Sequence, residues 1–154
     1  MKRSLIHTSL ALGLGAAMML LFLWTLRQPA VHAAPVTRYA ATSGDDDGGS
    51  NDCTDSGNPC RTVQHAVDEA ENGAEVWVAG GIYTGVSVRE TITQVVYISK
   101  TVTVRGGYDT AFTVSNPDTY PTTLDAQGQG RVVAIEGLAI SPDLESLRLT
   151  GGAF

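Results

Sequence analysis

The sequence predicts an all-β fold: a parallel β-helix of about three to four coils behind one capping α-helix. Three observations carry that reading. From Ala74 onward, short β-rich runs alternate with glycine turns. Strand ends recur as Ala-Gly-Gly, Arg-Gly-Gly and Thr-Gly-Gly, and the Asn-Gly or Asp-Gly turns of tight hairpins are missing between them. Val104 to Leu124 is twenty residues and Leu124 to Leu147 twenty-three, about the length of one coil. A small β-sandwich with hairpins between neighbouring strands is the alternative.

Residues 1–33 read as a signal peptide. Met1-Lys2-Arg3 is a positive start, Leu10 to Leu26 is an almost unbroken apolar run, and Val31-His32-Ala33 puts small residues at the −3 and −1 positions of a cut before Ala34. The protein is therefore expected to be exported, to the extracellular medium or the cell surface. The alternative is a retained membrane anchor over residues 10–26, which is about the shortest run able to span a bilayer. The 121 residues that remain hold seven Lys and Arg against 16 Asp and Glu, a net charge of −9, and Lys100 is their only lysine. That balance excludes nucleic acid and a polybasic membrane patch, which need clustered cations.

Residues 34–61 read as a lead-in with a short strand around Arg38–Thr42, followed by a polar, turn-rich loop. Cys53 and Cys60 are the only cysteines, and outside the cytoplasm an even count favours a disulfide between them. A two-cysteine metal site lacks further ligands, because His65 is the only histidine after residue 33 and falls on a helix. No metal and no cofactor are expected. The acidic stretch Asp45–Asp55 raises calcium as a rival, but Gly49 stands where an EF-hand loop needs its third ligand, so a solvated loop is the simpler reading.

Residues 62–154 open with the helix. Thr62 suits the N-cap, and Val63, Ala66, Val67 and Ala70 form one apolar stripe. Gln64, His65, Asp68, Glu69 and Glu71 are expected to face away, and Asn72-Gly73 to end the helix. Acids near its C-terminus oppose the helix dipole, so it should depend on docking. Its stripe is expected to meet Trp77 in the strand that follows. Further strands are expected at Glu75–Ala79, Ile82–Tyr83, Val86–Val88, Gln94–Ile98, Thr101–Arg105, Thr122–Asp125, Arg131–Ile135 and Leu144–Leu149, with an irregular excursion over Tyr108–Tyr120.

Four stretches in order carry a resemblance: Tyr39-Ala-Ala-Thr-Ser-Gly44, the Cys53–Cys60 loop, Pro59-Cys-Arg-Thr-Val-Gln-His-Ala-Val67 and Val76-Trp-Val-Ala-Gly-Gly-Ile-Tyr83. They resemble the N-terminal opening of bacterial right-handed parallel β-helix proteins of the pectin-lyase-like fold. Leu149-Thr-Gly-Gly-Ala-Phe154 is similar to the repeats of polymorphic outer-membrane adhesins. The resemblance implies a helix that caps the open end of a right-handed coil stack. It does not select an activity, since such proteins include lyases, hydrolases and adhesins.

Asp68, Asp109, Asp118, Asp125 and Asp143 are scattered, and no nucleophile, P-loop or zinc motif occurs. No catalytic residue is assigned. Tyr83, Tyr97, Tyr108 and Tyr120 are candidate platforms for sugar, although such tyrosines more often pack half-buried. The function expected is a surface or adhesin-like segment with a structural or binding role, its partner a carbohydrate or cell-surface ligand. The alternative is the opening of a secreted polysaccharide lyase or glycoside hydrolase with its active site on downstream coils. No cap follows the last strand, so the chain reads as truncated, with the remainder of a longer protein expected downstream.

Overall fold

A computed structural model describes residues 34–47 and 50–153; the expected signal peptide and the alternative anchor at 10–26 lie outside the described residues. The elements run β1 (Arg38–Ala40), α1 (Val63–Glu69), β2 (Glu75–Ala79), β3 (Gly81–Tyr83), β4 (Ser87–Arg89), β5 (Ile92–Ile98), β6 (Thr103–Tyr108), β7 (Thr122–Asp125), β8 (Arg131–Ile135), β9 (Asp143–Glu145) and β10 (Leu147–Thr150). They form three sheets. The first is β1-β2-β6-β9, the second β10-β7-β3 and the third β4-β5-β8. Pairing is parallel throughout the first two sheets.

The third sheet is mixed, and it corrects the expected right-handed parallel β-helix. There β4 and β5 pair antiparallel while β5 and β8 pair parallel. The architecture is three small sheets, two parallel and one mixed, with one short helix. A β-sandwich does not fit either, because the first two sheets contain no antiparallel neighbours. The hairpin was hidden because its turn lacks the usual residues: Glu90 and Thr91 take φ of 47° and 70°, positions that ordinarily attract Asn and Gly.

Inward positions alternate along the strands. Val76, Val78, Val96, Ile98, Val104 and Leu124 are fully buried in one core, joined by Val102. Gly106 and Gly107 are not a turn after a strand but part of β6. Trp77 pairs with Arg105 and Ala79 with Tyr108, so the two glycines oppose Val78 alone in a bulge. The run Leu144–Leu149 is likewise two strands: Ser146, at φ 54°, turns the chain from the first sheet to the second.

The helix stops earlier than expected, with Ala70 already extended and Gly73, at φ 83°, serving the following turn. Val63, Ala66, Val67 and Ala70 all lie in the main core. Both ends are secured by other segments. Thr62 Oγ1 accepts from the His65 amide at 3.1 Å and itself donates to Asp46 Oδ2 at 2.9 Å. At the other end Lys100 Nζ donates to the carbonyls of Asp68 and Ala70 at 2.9 and 2.8 Å, and Arg38 Nε to that of Glu69 at 2.9 Å. These two cations offset the acids that oppose the dipole.

Gln64 does not face away. It is buried; its Oε1 accepts from the Tyr97 amide at 2.6 Å and its Nε2 donates to the Tyr97 carbonyl at 3.3 Å. Since β4 covers β5 only as far as Gln94, the Gln64 amide completes the bare edge as a strand residue would.

Candidate functional site

Because Val76 and Val78 turn inward, Glu75 and Trp77 turn outward on β2. Parallel register then lines up Tyr39 of β1, Trp77 of β2, Arg105 of β6 and Glu145 of β9 in one row across the outer face of the first sheet. Trp77 stacks on Tyr108 with ring centroids 4.5 Å apart and meets the edge of Tyr39 at 5.8 Å. Phe112 closes the group, 4.9 Å from Tyr39. Tyr108 and Phe112 are buried, whereas Tyr39 and Trp77 keep part of their surface in solvent.

Charged groups border these rings. Trp77 Nε1 donates to Glu75 Oε2 at 2.6 Å, and Arg105 Nε donates to Glu145 Oε2 at 2.7 Å. Bonding to Glu145, and then to Tyr108, raises the Arg105 pKa and holds it cationic. Phe112 is delivered by a loop that Asp109 closes, its carboxylate accepting from the amides of Thr113 and Val114 at 2.7 and 3.0 Å. Those bonds, the Val114 amide first, lower the Asp109 pKa. The anchor is therefore complete above the ordinary carboxylate range and is lost as pH falls through the depressed folded value.

Trp77 does not meet the helix stripe. It belongs to the aromatic group on the outer face of β2, while Val63, Ala66, Val67 and Ala70 pack on the inner side with Val76 and Val78. The reason is the two-residue period of the strand: any residue flanked by inward valines must face out. The same alternation in Glu75-Val-Trp-Val and Thr-Val-Arg was the signal that could have found Glu75 and Arg105. Nothing local in the sequence pairs Arg105 with Glu145, forty residues on.

Cys53 and Cys60 form a disulfide with Cα atoms 5.2 Å apart. His65 does come to them, contrary to the expectation that it is only a surface residue: the two sulfurs and a ring nitrogen lie within 4.8 Å of one another. The disulfide leaves no thiolate to bind a metal, and His65 Nε2 donates to the Asn51 carbonyl at 2.8 Å. For a closed loop of this length the bridge contributes about 2–3 kcal/mol. The Cys53→Ala/Cys60→Ala pair should lose about 2–3 kcal/mol of unfolding free energy in urea denaturation, and unreduced wild-type protein should show no free thiol by mass spectrometry.

Several other aspartates are held by backbone amides or by an arginine. Asp45, Asp52 and Asp55 accept from the backbone amides of Asp47, Thr54 and Gly57, and Asp46 from those of Arg61 and Thr62. Asp125 accepts from the Gln127 amide, and Asp68 pairs with Arg89. Among the tyrosines, Tyr83 is buried with its hydroxyl donating to the Ala79 carbonyl at 3.0 Å, and burial pushes its pKa up. Tyr97 donates to Glu136 at 3.3 Å. A cleft of about 250 Å³ lies beside Tyr83, lined also by Arg61, Val63, Ile82 and Val95.

No helix among the described residues is long and apolar enough to cross a membrane. No protein-family model, no curated protein and no solved structure matches the chain.

Proposed function

We propose that the chain is an exported, non-catalytic segment of a cell-surface protein that binds neutral carbohydrate on the outer face of the first sheet. The observation that carries this reading is the row Tyr39, Trp77, Arg105 and Glu145. The partly exposed rings of Tyr39 and Trp77 offer apolar surface to the C–H groups of a sugar, and the neighbouring Arg105–Glu145 pair offers donors and an acceptor to adjacent hydroxyls. A charge of −9 over residues 34–154 repels acidic polymers, so a neutral glycan is preferred. Export rests on the order of the positive start, apolar run and Val31-His32-Ala33 site, and the disulfide supports it.

The test is expression of the full coding sequence in an export-competent bacterial host, with N-terminal sequencing and then binding to immobilised neutral glycans. The recovered chain should begin at Ala34 and be retained by at least one glycan. Arg105→Gln should weaken that retention about tenfold, a loss of 1.4 kcal/mol, without lowering the melting temperature. Retention unchanged by Arg105→Gln would remove the site, and an intact Met1 in the membrane fraction would replace export by anchoring.

A further inference from the structure

We propose that Cys53, Cys60, His65 and the Asn51 carbonyl form a site for a soft divalent cation, zinc by its ligand chemistry, whenever the disulfide is open. The two sulfurs and a ring nitrogen of His65 lie within 4.8 Å of one another. The Asn51 carbonyl oxygen stands among them, 3.7 Å from each sulfur and 2.8 Å from His65 Nε2. Two thiolates, one imidazole and one oxygen are four donors of the kinds that zinc takes in tetrahedral sites. Calcium and magnesium take oxygen ligands instead, so the sulfurs select against them.

The arrangement of the ligands does not depend on the S–S bond. The Tyr39 amide donates to the Cys53 carbonyl, the Cys60 amide to the Tyr39 carbonyl and the Ala41 amide to the Cys60 carbonyl, at 2.8 to 2.9 Å, so backbone straps both cysteines to the outer side of β1. Asn51 is fixed as well: its Nδ2 donates to the carbonyls of Asp45 and Asn58 at 2.7 and 3.1 Å, and its Oδ1 accepts from the Cys53 amide at 2.9 Å. The Thr62 cap holds His65. Opening the bond therefore leaves the ligands facing one another. The sulfurs need only part to about 3.8 Å, the separation of two ligands at about 2.3 Å on a tetrahedral ion. Both cysteines are buried, while His65 and Asn51 keep part of their surface in solvent and leave a path for the ion.

The chain is made with two thiols, and a dithiol reductant restores them. In that step the dithiol gives up two electrons and closes its own S–S bond, and the Cys53–Cys60 bond breaks. Both thiolates bind the ion, and the two protons of the dithiol go to solvent. A small-molecule disulfide reverses the step: it takes up two electrons and two protons to become two thiols, the Cys53–Cys60 bond re-forms and the ion leaves. The loop thus carries either a disulfide or a metal. The disulfide links the loop only to itself, whereas the metal also ties it to α1 through His65.

The test uses the recovered full-sequence product, reduced with a phosphine in urea and refolded with the phosphine present. It is titrated with Co²⁺, whose spectrum reports its ligands, and then with Zn²⁺. The reduced chain should bind a single Co²⁺ with thiolate charge-transfer absorption and tetrahedral d–d bands, and Zn²⁺ should displace it and raise the melting temperature of the reduced chain. The oxidised protein should show no such absorption, and oxidised glutathione should release Zn²⁺ from the reduced form. His65→Ala should alter the d–d bands and weaken binding at least about tenfold, and Cys53→Ser/Cys60→Ser should abolish it. Reduced wild-type protein without thiolate–Co²⁺ absorption overturns the proposal, and so does an affinity indifferent to His65→Ala. Zn²⁺ binding that leaves the melting temperature unchanged also overturns it, because two thiols of an unfolded chain would then account for the uptake.

Discussion

Val67→Asp should leave the chain largely unfolded at room temperature and prone to aggregate. Val67 is 1% exposed and shares one core with Val63, Ala66, Ala70 and the inward valines of β2 and β5. A carboxylate there would sit in a cluster made only of apolar side chains, with no cation among them. Burying an unpaired charge, or taking up a proton to avoid it, costs about 4–5 kcal/mol, much of the total stability of a small domain. The loss would extend beyond the helix, because Gln64, three residues earlier in it, holds the backbone of Tyr97. Val67→Ala, which removes volume without adding charge, should cost only about 1–3 kcal/mol. Urea denaturation of both variants checks the order. A Val67→Asp protein that is soluble with an unchanged midpoint would show that the helix is not part of the core.

Gly106→Ala should be the next most damaging change, at about 2–4 kcal/mol. A methyl group on Gly106 would lie 2.6 Å from the Ser146 carbonyl oxygen, 2.7 Å from Thr122 Cβ and 2.8 Å from Leu147 Cδ2. The first of these is backbone at the corner where the chain leaves the first sheet for the second, so it cannot rotate aside. Relief requires β6 to move off β9 and β7 together. Gly85→Ala supplies the contrast: nothing lies within 4 Å of its added methyl group, and its effect should be close to zero or slightly stabilising. Thermal melts of the two variants should differ clearly, and equal melting temperatures would refute the close-approach account of the Gly-Gly pair.

The local features of this protein were legible in its sequence wherever one short-range rule decides the outcome. The strands Thr122–Asp125 and Arg131–Ile135 follow from β-branched residues between turn signals, and the disulfide from two cysteines in a turn-rich loop. The inward stripe Val63, Ala66, Val67 and Ala70 follows from helical periodicity. What the neighbours of a residue are was decided only in three dimensions. The hairpin of β4 and β5 turns on Glu90 and Thr91, whose positive φ values carry no sequence signal and are held by the sheet on either side. Trp77 went to the outer aromatic group because strand alternation overrides its appetite for burial, and Phe112 joined it from a loop whose direction Asp109 sets. Gln64 and His65 look like solvent-facing helix residues by composition, yet each was drawn in by a backbone group that would otherwise lack a partner, Tyr97 for one and Asn51 for the other. Local propensity is a property of a few consecutive residues, whereas satisfying a buried amide or placing Arg105 beside Glu145 depends on which distant strand lies alongside, and that is fixed only when the sheets assemble.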